Sequence, residues 1–349
     1  MSRILAACAG LALCLIAGCS SASAAKASEA VLTYEPQSFR EGREFERLER
    51  MDDQARVEIE RALEVRDRAV GRYVDARQAF DAQELPPEIT RPTQEQVSAL
   101  LAEAQDRWRE HLERIAIARD RFETFLRKYP ANWYARHRYA WFLADHLLRY
   151  EAADEWSKVI ELEPRFPYAY NNLGSLYNHM GRDAESLDLY RKAISLKPDD
   201  PVFWLNLAVI YSTHRKEAME KYGWDLPRTF RECINAYRQA LRLSPRDTEI
   251  AYDLASQFII AKHFKVTDTA DESLDAWMYY LTLDLTDNPR ANALRNVGRI
   301  YLKEKNDPRT AITWLEQALI FRPGDEGSTA LIKQAKDVLS GVKPEPAPE

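Results

Sequence analysis

Nucleophiles, titratable groups and metal ligands at workable spacing are what a protein needs for chemistry, and this 349-residue chain has few of them. Its four cysteines are Cys8, Cys14, Cys19 and Cys233. Three fall within the first 19 residues and none forms a CxxC pair, so neither a zinc framework nor a disulfide scaffold is indicated. The six histidines do not pair at metal-ligand spacing on one helix. HExxH, GxSxG, GxxxxGK[ST] and GxGxxG are all missing from the sequence. Eleven glycines leave little room for phosphate-cradling loops or for the turns of a many-stranded fold. The expectation is a protein without catalytic residues, metal or cofactor. One thiol remains of chemical interest, that of Cys19.

Cys19 closes an N-terminal segment with the features of an export signal: Arg3, then an apolar run from Ile4 to Ala17. The run ends Leu15-Ile16-Ala17-Gly18-Cys19, which resembles the bacterial lipobox. That resemblance implies a diacylglycerol on the Cys19 thiol, cleavage before it and acylation of the new N-terminus. Ser20, rather than Asp, follows; in such lipoproteins this resembles an outer-membrane destination facing the periplasm. The alternative is plain secretion, with cleavage after Ala22-Ser23-Ala24 or Ser23-Ala24-Ala25. Residues 1–18 are thus expected as signal and 19–40 as a flexible tether. No internal stretch reaches the roughly 18 apolar residues of a membrane span. The 49 basic and 55 acidic residues are spread along the chain, giving net charge −6, which argues against a nucleic-acid partner.

The elements that would position a site are helical. From Glu41 to about Glu84 apolar or small residues recur at heptad spacing: Phe45, Leu48, Ala55, Ile59, Ala62, Ala69, Tyr73, Ala76 and Phe80. Asp52 and Arg66 interrupt the stripe. Leu85-Pro86-Pro87 must end this helix, and Thr93 with Gln96 is a capping-box signature for the next. The second helix carries Val97, Leu101, Ala104, Trp108, His111, Ile115, Ala118, Phe122 and Phe125. Residues 41–129 are therefore expected to form a long antiparallel hairpin, with His111 a packed residue; the alternative is an intermolecular coiled coil.

Beyond the hairpin, Pro130, Pro164 and Pro198 stand 34 residues apart. In the segment 167–200, Tyr170, Leu173, Gly174, Tyr177, Ser186, Tyr190, Ala193 and Pro198 occupy positions 4, 7, 8, 11, 20, 24, 27 and 32. This resembles a tetratricopeptide repeat (TPR). Similar repeats are expected near 133–166, 201–247, 248–290 and 291–324, within an array over 130–324. Arg136 departs from the pattern at position 4 of the first, 13 residues are inserted in the third, and Tyr280 replaces a small residue in the fourth. The fourth repeat's second helix reads as running on to Pro289. Cys233 falls on a small-residue position and is expected to be buried and structural. A capping helix over 325–340, with Leu331, Ala335 and Val338/Leu339 inward, and a disordered tail over 341–349 complete the chain. The resemblance implies an all-α fold, a right-handed superhelical TPR solenoid preceded by the helical hairpin.

In this family the first helix of each repeat lines a concave groove through positions 2, 5, 6, 9, 12 and 13. Those positions include Tyr134, His137, Arg138, Trp141, Tyr168, Asn172, Asn206, Tyr252, Asp253, Asn296 and Arg299. Asparagines at position 6 carry donors and an acceptor for an extended peptide backbone, or are simply common there. Tyr222 and Trp224, in the insertion, are either tucked onto the array or presented to a partner. The resemblance implies a lipid-anchored envelope scaffold that binds a protein or extended peptide for assembly or localisation of a complex. The alternatives are a structural oligomer or spacer built by the N-terminal helices, and an envelope enzyme or glycan-binding protein using the Trp224 loop. Oligomeric state is open.

Overall fold

The computed structural model describes residues 36–82 and 90–341, all helix, turn or irregular chain, with no strand among them. The expected signal segment, Cys19, residues 19–35 of the expected tether, Leu85-Pro86-Pro87 and residues 342–349 lie outside the described residues. No described helix is long and apolar enough to cross a membrane. Two compact units divide between Ala169 and Tyr170.

The first unit opens with α1 (Phe39–Asp81), N-capped by the Ser38 hydroxyl, which accepts the Glu41 amide at 3.1 Å. Thr93 and Gln96 form the reciprocal capping pair at the start of α2 (Gln94–Lys128). The two helices pack on each other in opposite directions: Arg72 bonds Glu103 at 2.6 Å and Arg114 bonds Glu58 at 3.3 Å. Phe45, Leu48, Ala55, Ile59 and Ala69 are buried from α1, and Val97, Ala104, His111, Ala118, Phe122 and Phe125 from α2. Arg66, an interruption of the stripe, lies 4.6 Å over the Trp108 ring.

α3 (Trp133–Asp145) and α4 (Arg149–Leu162) follow as a helix pair. Their crossing is set by Ala140 and Ala152, both with no exposed surface. The turn between them puts Leu147 at φ +62°, and Gly181, 34 residues on, repeats that left-handed conformation at φ +74°.

In the second unit, α5 (Pro167–His179), which spans the division, pairs with α6 (Asp183–Leu196). α7 (Pro201–Thr213) pairs with α9 (Leu226–Leu243), and the insertion between them folds into α8 (Arg215–Tyr222), closed by Gly223 at φ +64°. α10 (Thr248–Gln257) runs into a 3₁₀ segment (Phe258–Phe264) before α11 (Ala270–Leu281). α12 (Asp287–Lys303), α13 (Pro308–Phe321) and α14 (Glu326–Ser340) end the described chain.

Two expectations are corrected. The fourth repeat's second helix, α11, stops at Leu281 instead of running to Pro289. Leu283 and Leu285 pack against the core there, and Pro289 sits in the first turn of α12, where its missing N–H is not required. In α14, Ala335 is buried, but Val338 and Leu339 are 43% and 47% exposed and do not face inward.

Small residues at each crossing leave little clearance. A Cβ on Gly298 would stand 2.6 Å from Leu315 Cγ, whereas one on Gly174 would meet the Tyr190 ring at 3.1 Å. Gly298→Ala is therefore expected to cost about 1–3 kcal/mol, exceeding the roughly 1 kcal/mol gained in helix propensity, while Gly174→Ala stays near neutral. Thermal unfolding by circular dichroism, with a lower Tm for Gly298→Ala alone, checks this.

Candidate functional site

In the first unit, α3 places Tyr134, Arg138 and Trp141 at helical spacing, and α1 lies against the first two. The Phe45 ring is 5.7 Å from that of Tyr134. Arg138 Nη2 donates to Asp52 Oδ2 at 2.8 Å and reaches Asp53 at 3.3 Å. Asn132 Nδ2 donates to Glu41 Oε1 at 2.9 Å. Burial works against the Arg138 charge, but the Asp52 carboxylate outweighs it and raises its pKa. Asp52, a polar break in a heptad stripe, is 3% exposed and is one of several contacts that join the hairpin to the first repeat.

His137 is corrected as a partner contact. It is 2% exposed, its Nδ1 accepts the Trp156 indole N–H at 3.2 Å, and burial pushes its pKa down to about 3, so it stays neutral inside the core. Trp141 is half-buried with its ring edge-on to Trp156, and Tyr168 is half-buried against Phe166. Arg136, the departure at position 4, pairs with Glu155 at 2.7 Å and lines a cleft of about 550 Å³ between α2, α3 and α4, where charged side chains stand beside Leu126 and Leu143.

In the second unit, Asn206 Nδ2 donates to Asn171 Oδ1 at 2.8 Å, and Asn171 Nδ2 donates to Asn172 Oδ1 at 3.2 Å. These asparagines thus tie α7 to α5 and spend part of their bonding capacity on each other. Asn171 was not singled out from the sequence, although it sits beside the position-6 asparagine. Asn296 makes no side-chain hydrogen bond among the described residues and is half-buried.

Aliphatic residues add to this face. Val209 on α7 is 37% exposed and Ile259 is 41% exposed, with Val202 and Leu205 half-buried. They occupy positions 2, 5, 9 and 12 of their repeats, which the resemblance assigns to the groove, so position marks them where their aliphatic type does not. Tyr252 is 41% exposed, its ring braced on Trp277 at 5.8 Å and Tyr280 at 5.6 Å.

Two charges on this face are unpaired among the described residues. Asp253 on α10 is half-buried; burial, followed by Glu249 and Asp247, pushes its pKa up to about 6. Arg299 on α12 is half-buried, its pKa lowered by burial, and it has no ion-pair partner. Half-buried charges without partners are costly to a fold and mark candidate binding positions.

The insertion is packed down. Trp224 lies against Tyr211 at 5.4 Å and Tyr222 at 4.6 Å, and Arg228 stacks over it at 5.1 Å. Lys221 pairs with Asp188 at 2.7 Å. Cys233 is fully buried, donates to the Ala208 carbonyl at 3.4 Å, and has its thiol pKa pushed up by burial. No group of His, Cys, Asp and Glu among the described residues could hold a metal ion.

Family models described as tetratricopeptide repeat match residues 167–200 and 189–222. Comparison with curated proteins gives no match. Among solved structures, the chain is similar to YrrB, described as a TPR protein with an unusual peptide-binding site. Identity is 18% and TM-score 0.47, over 61% of this chain and 97% of that one. It is also similar to the C-terminal part of a TPR repeat-containing protein from Cytophaga hutchinsonii, at 13% identity, TM-score 0.49, 65% of this chain and 82% of that one. A third is pilF of Pseudomonas aeruginosa, at 16% identity, TM-score 0.41, 78% of this chain and 99% of that one.

Two predictions follow the unusual charges. Asp253 has a raised folded-state pKa, so its protonated form fits the fold and its ionised form costs stability once pH rises through about 6. Asp253→Asn is expected to stabilise by about 1–2 kcal/mol at pH 7.5, after allowance for partial exposure, and by almost nothing at pH 4. Urea unfolding at the two pH values measures this. For the Asp52–Arg138 pair, Arg138→Leu alone should lose about 3 kcal/mol, because it leaves a buried carboxylate, while Arg138→Leu with Asp52→Leu regains more than half. Urea unfolding of the four proteins of the cycle tests that sign.

Proposed function

We propose that this protein is a lipid-anchored TPR scaffold of the bacterial cell envelope, and not an enzyme. Acylated Cys19 would hold it to the membrane, in the outer-membrane leaflet facing the periplasm. A protein or extended-peptide partner would lie along the first-helix face of the second unit. TPR repeats form a protein-interaction fold, and the helices here present an aromatic anchor, Tyr252, beside the aliphatic Val209 and Ile259. The observation that carries the reading is the pair of half-buried, unpaired charges, Asp253 and Arg299, on helices that bear the repeats' binding positions. A partner offering a carboxylate to Arg299 and a donor to Asp253 would relieve both desolvation costs. The lipid anchor is supported by the lipobox-like Leu15–Cys19 segment and by Ser20. Scaffolding of this kind serves assembly or localisation of an envelope complex.

The test is crosslinking of the full-length protein in its own envelope, affinity recovery and mass spectrometry. Tyr252→Ala and Arg299→Ala are expected to lower the yield of the crosslinked partner about ten-fold, with unchanged helicity. Cys19→Ser should move the protein from the membrane to the soluble fraction. Equal partner yields from all variants would sink the face assignment, and membrane retention of Cys19→Ser the anchor.

A further inference from the structure

The cleft beside Arg136 lies wholly within the first unit, and its volume of about 550 Å³ falls in the range of small-molecule sites. Its α3 residues, Arg136, Tyr139 and Leu143, hold positions 4, 7 and 11 of the first repeat, so the cleft is not on the first-helix face described above. In the next two repeats position 4 is Tyr170, which is buried, and Trp204, which packs against the core of its unit. Arg136 instead turns its guanidinium to the Pro130 carbonyl at 3.0 Å and to Glu155 at 2.7 Å. With arginine there, the cleft stays open over the buried Leu126, Tyr139 and Leu143.

The walls are polarised along their length. Arg136 links the Pro130 carbonyl, just beyond α2, to Glu155 of α4. The pKa of Arg119, more than two turns earlier in α2, is raised first by its bond to Glu123 and also by Glu151, one turn earlier in α4. The two helices therefore pass the cleft in the same direction. At the Pro130 end Arg136 and Lys158 already share the Glu155 carboxylate, at 2.7 and 2.6 Å. Arg127, beside them, donates to the Thr124 hydroxyl at 2.8 Å and has no ion-pair partner among the described residues. At the other end Arg119 is committed to Glu123 at 2.7 Å, which also accepts the Tyr139 hydroxyl at 2.8 Å. Half-buried Glu151 and exposed Asp154 form no side-chain hydrogen bond or ion pair among the described residues. One end thus has cations in excess, the other has carboxylates in excess, and the floor is apolar.

We propose that this cleft binds a free linear peptide of three or four residues, its carboxylate at Arg127 and its ammonium at Glu151 and Asp154. The chain rises about 12 Å from Arg119 to Arg127, and an extended peptide spans about 3.3–3.6 Å per residue, so both termini of such a peptide reach their ends at once. Each terminus makes a charge-assisted hydrogen bond that the protein does not make for itself. Small apolar side chains lie on Leu126 and Leu143. A dianion or dication of the same length meets its own sign at one end, and a ligand with a single charge satisfies only the other. The proposal does not depend on the partner face of the second unit.

Calorimetric titration of the full chain with tetra-alanine tests it. Acetylating the amino end or amidating the carboxyl end is expected to weaken binding about five-fold each, and doing both roughly 25-fold. Arg127→Gln should cost the free peptide about the same five-fold and remove the effect of amidation; Glu151→Gln with Asp154→Asn should do so for acetylation. Absence of saturable binding at millimolar tetra-alanine, or equal affinity for the free and doubly blocked peptides, overturns the proposal. So does sensitivity to only one of the two modifications, since the cleft then takes a single charge. Terminal effects that survive in the variants overturn it as well, by placing the peptide elsewhere on the chain. The peptide comparison on the unaltered chain decides even where a variant loses its helicity.

Discussion

The close approach of two helices within each repeat is the constraint on which everything else rests. It is made at positions 8 and 20, where side chains must be nearly absent: Ala140 with Ala152, Gly174 with Ser186, Ala208 with Cys233, Ala255 with Ser273, and Gly298 with Ala311. Two of these pairs add a bond to the contact. Ser186 Oγ donates to the Gly174 carbonyl at 2.7 Å, and the Cys233 thiol donates to the Ala208 carbonyl. A buried hydroxyl or thiol is tolerable there because a helix carbonyl takes its hydrogen, so Cys233 needs no redox role. With the crossing fixed, the large residues fall into place around it: Tyr190, Tyr211, Phe230 and Tyr237 form one continuous core with the insertion packed upon it.

That geometry sorts the first-helix residues into those that pack and those that face outward, and it does so differently in the two units. On α3 the outward positions are spent on α1, through one aromatic contact and one buried ion pair. On α7, α10 and α12 they are spent on asparagine bridges, on exposed Val209 and Tyr252, and on two charges the chain does not neutralise. The first-helix face is thus covered by the N-terminal helix in one unit and left with two uncompensated charges in the other. Natural folds tolerate such charges where something other than folding satisfies them.

The helical class, the hairpin and the repeats were legible because each depends on spacing, and spacing is what a sequence records directly. The boundaries of the fourth repeat were not. Leu283 and Leu285 belong to a core that only the tertiary structure assembles, and Pro289 opens a helix as readily as it follows one. His137 was misread for a related reason. The family resemblance assigns position 5 to the groove, yet the Trp156 indole reaches it as a hydrogen-bond donor, and a ring that accepts a buried N–H is better placed inside. Val209 could not be told from core residues by type. Asp253 and Arg299 were legible as positions, but their significance lies in what is missing around them.

Asp52 is the most instructive residue. In a heptad stripe it is an error, and a hairpin considered alone would be better with leucine there. Its partner lies 86 residues later, on a different motif, so no local pattern could have joined the two. An apolar residue at 52 would still dock α1, but without specifying where along α3 it must stop. The register in which this carboxylate meets Arg138 also brings Phe45 to Tyr134 and Glu41 to Asn132. The cost is that Asp52 Oδ1 and Arg138 Nε are buried without a hydrogen-bond partner among the described residues. A seam held in register by a buried ion pair differs in kind from the apolar crossings that build the repeats.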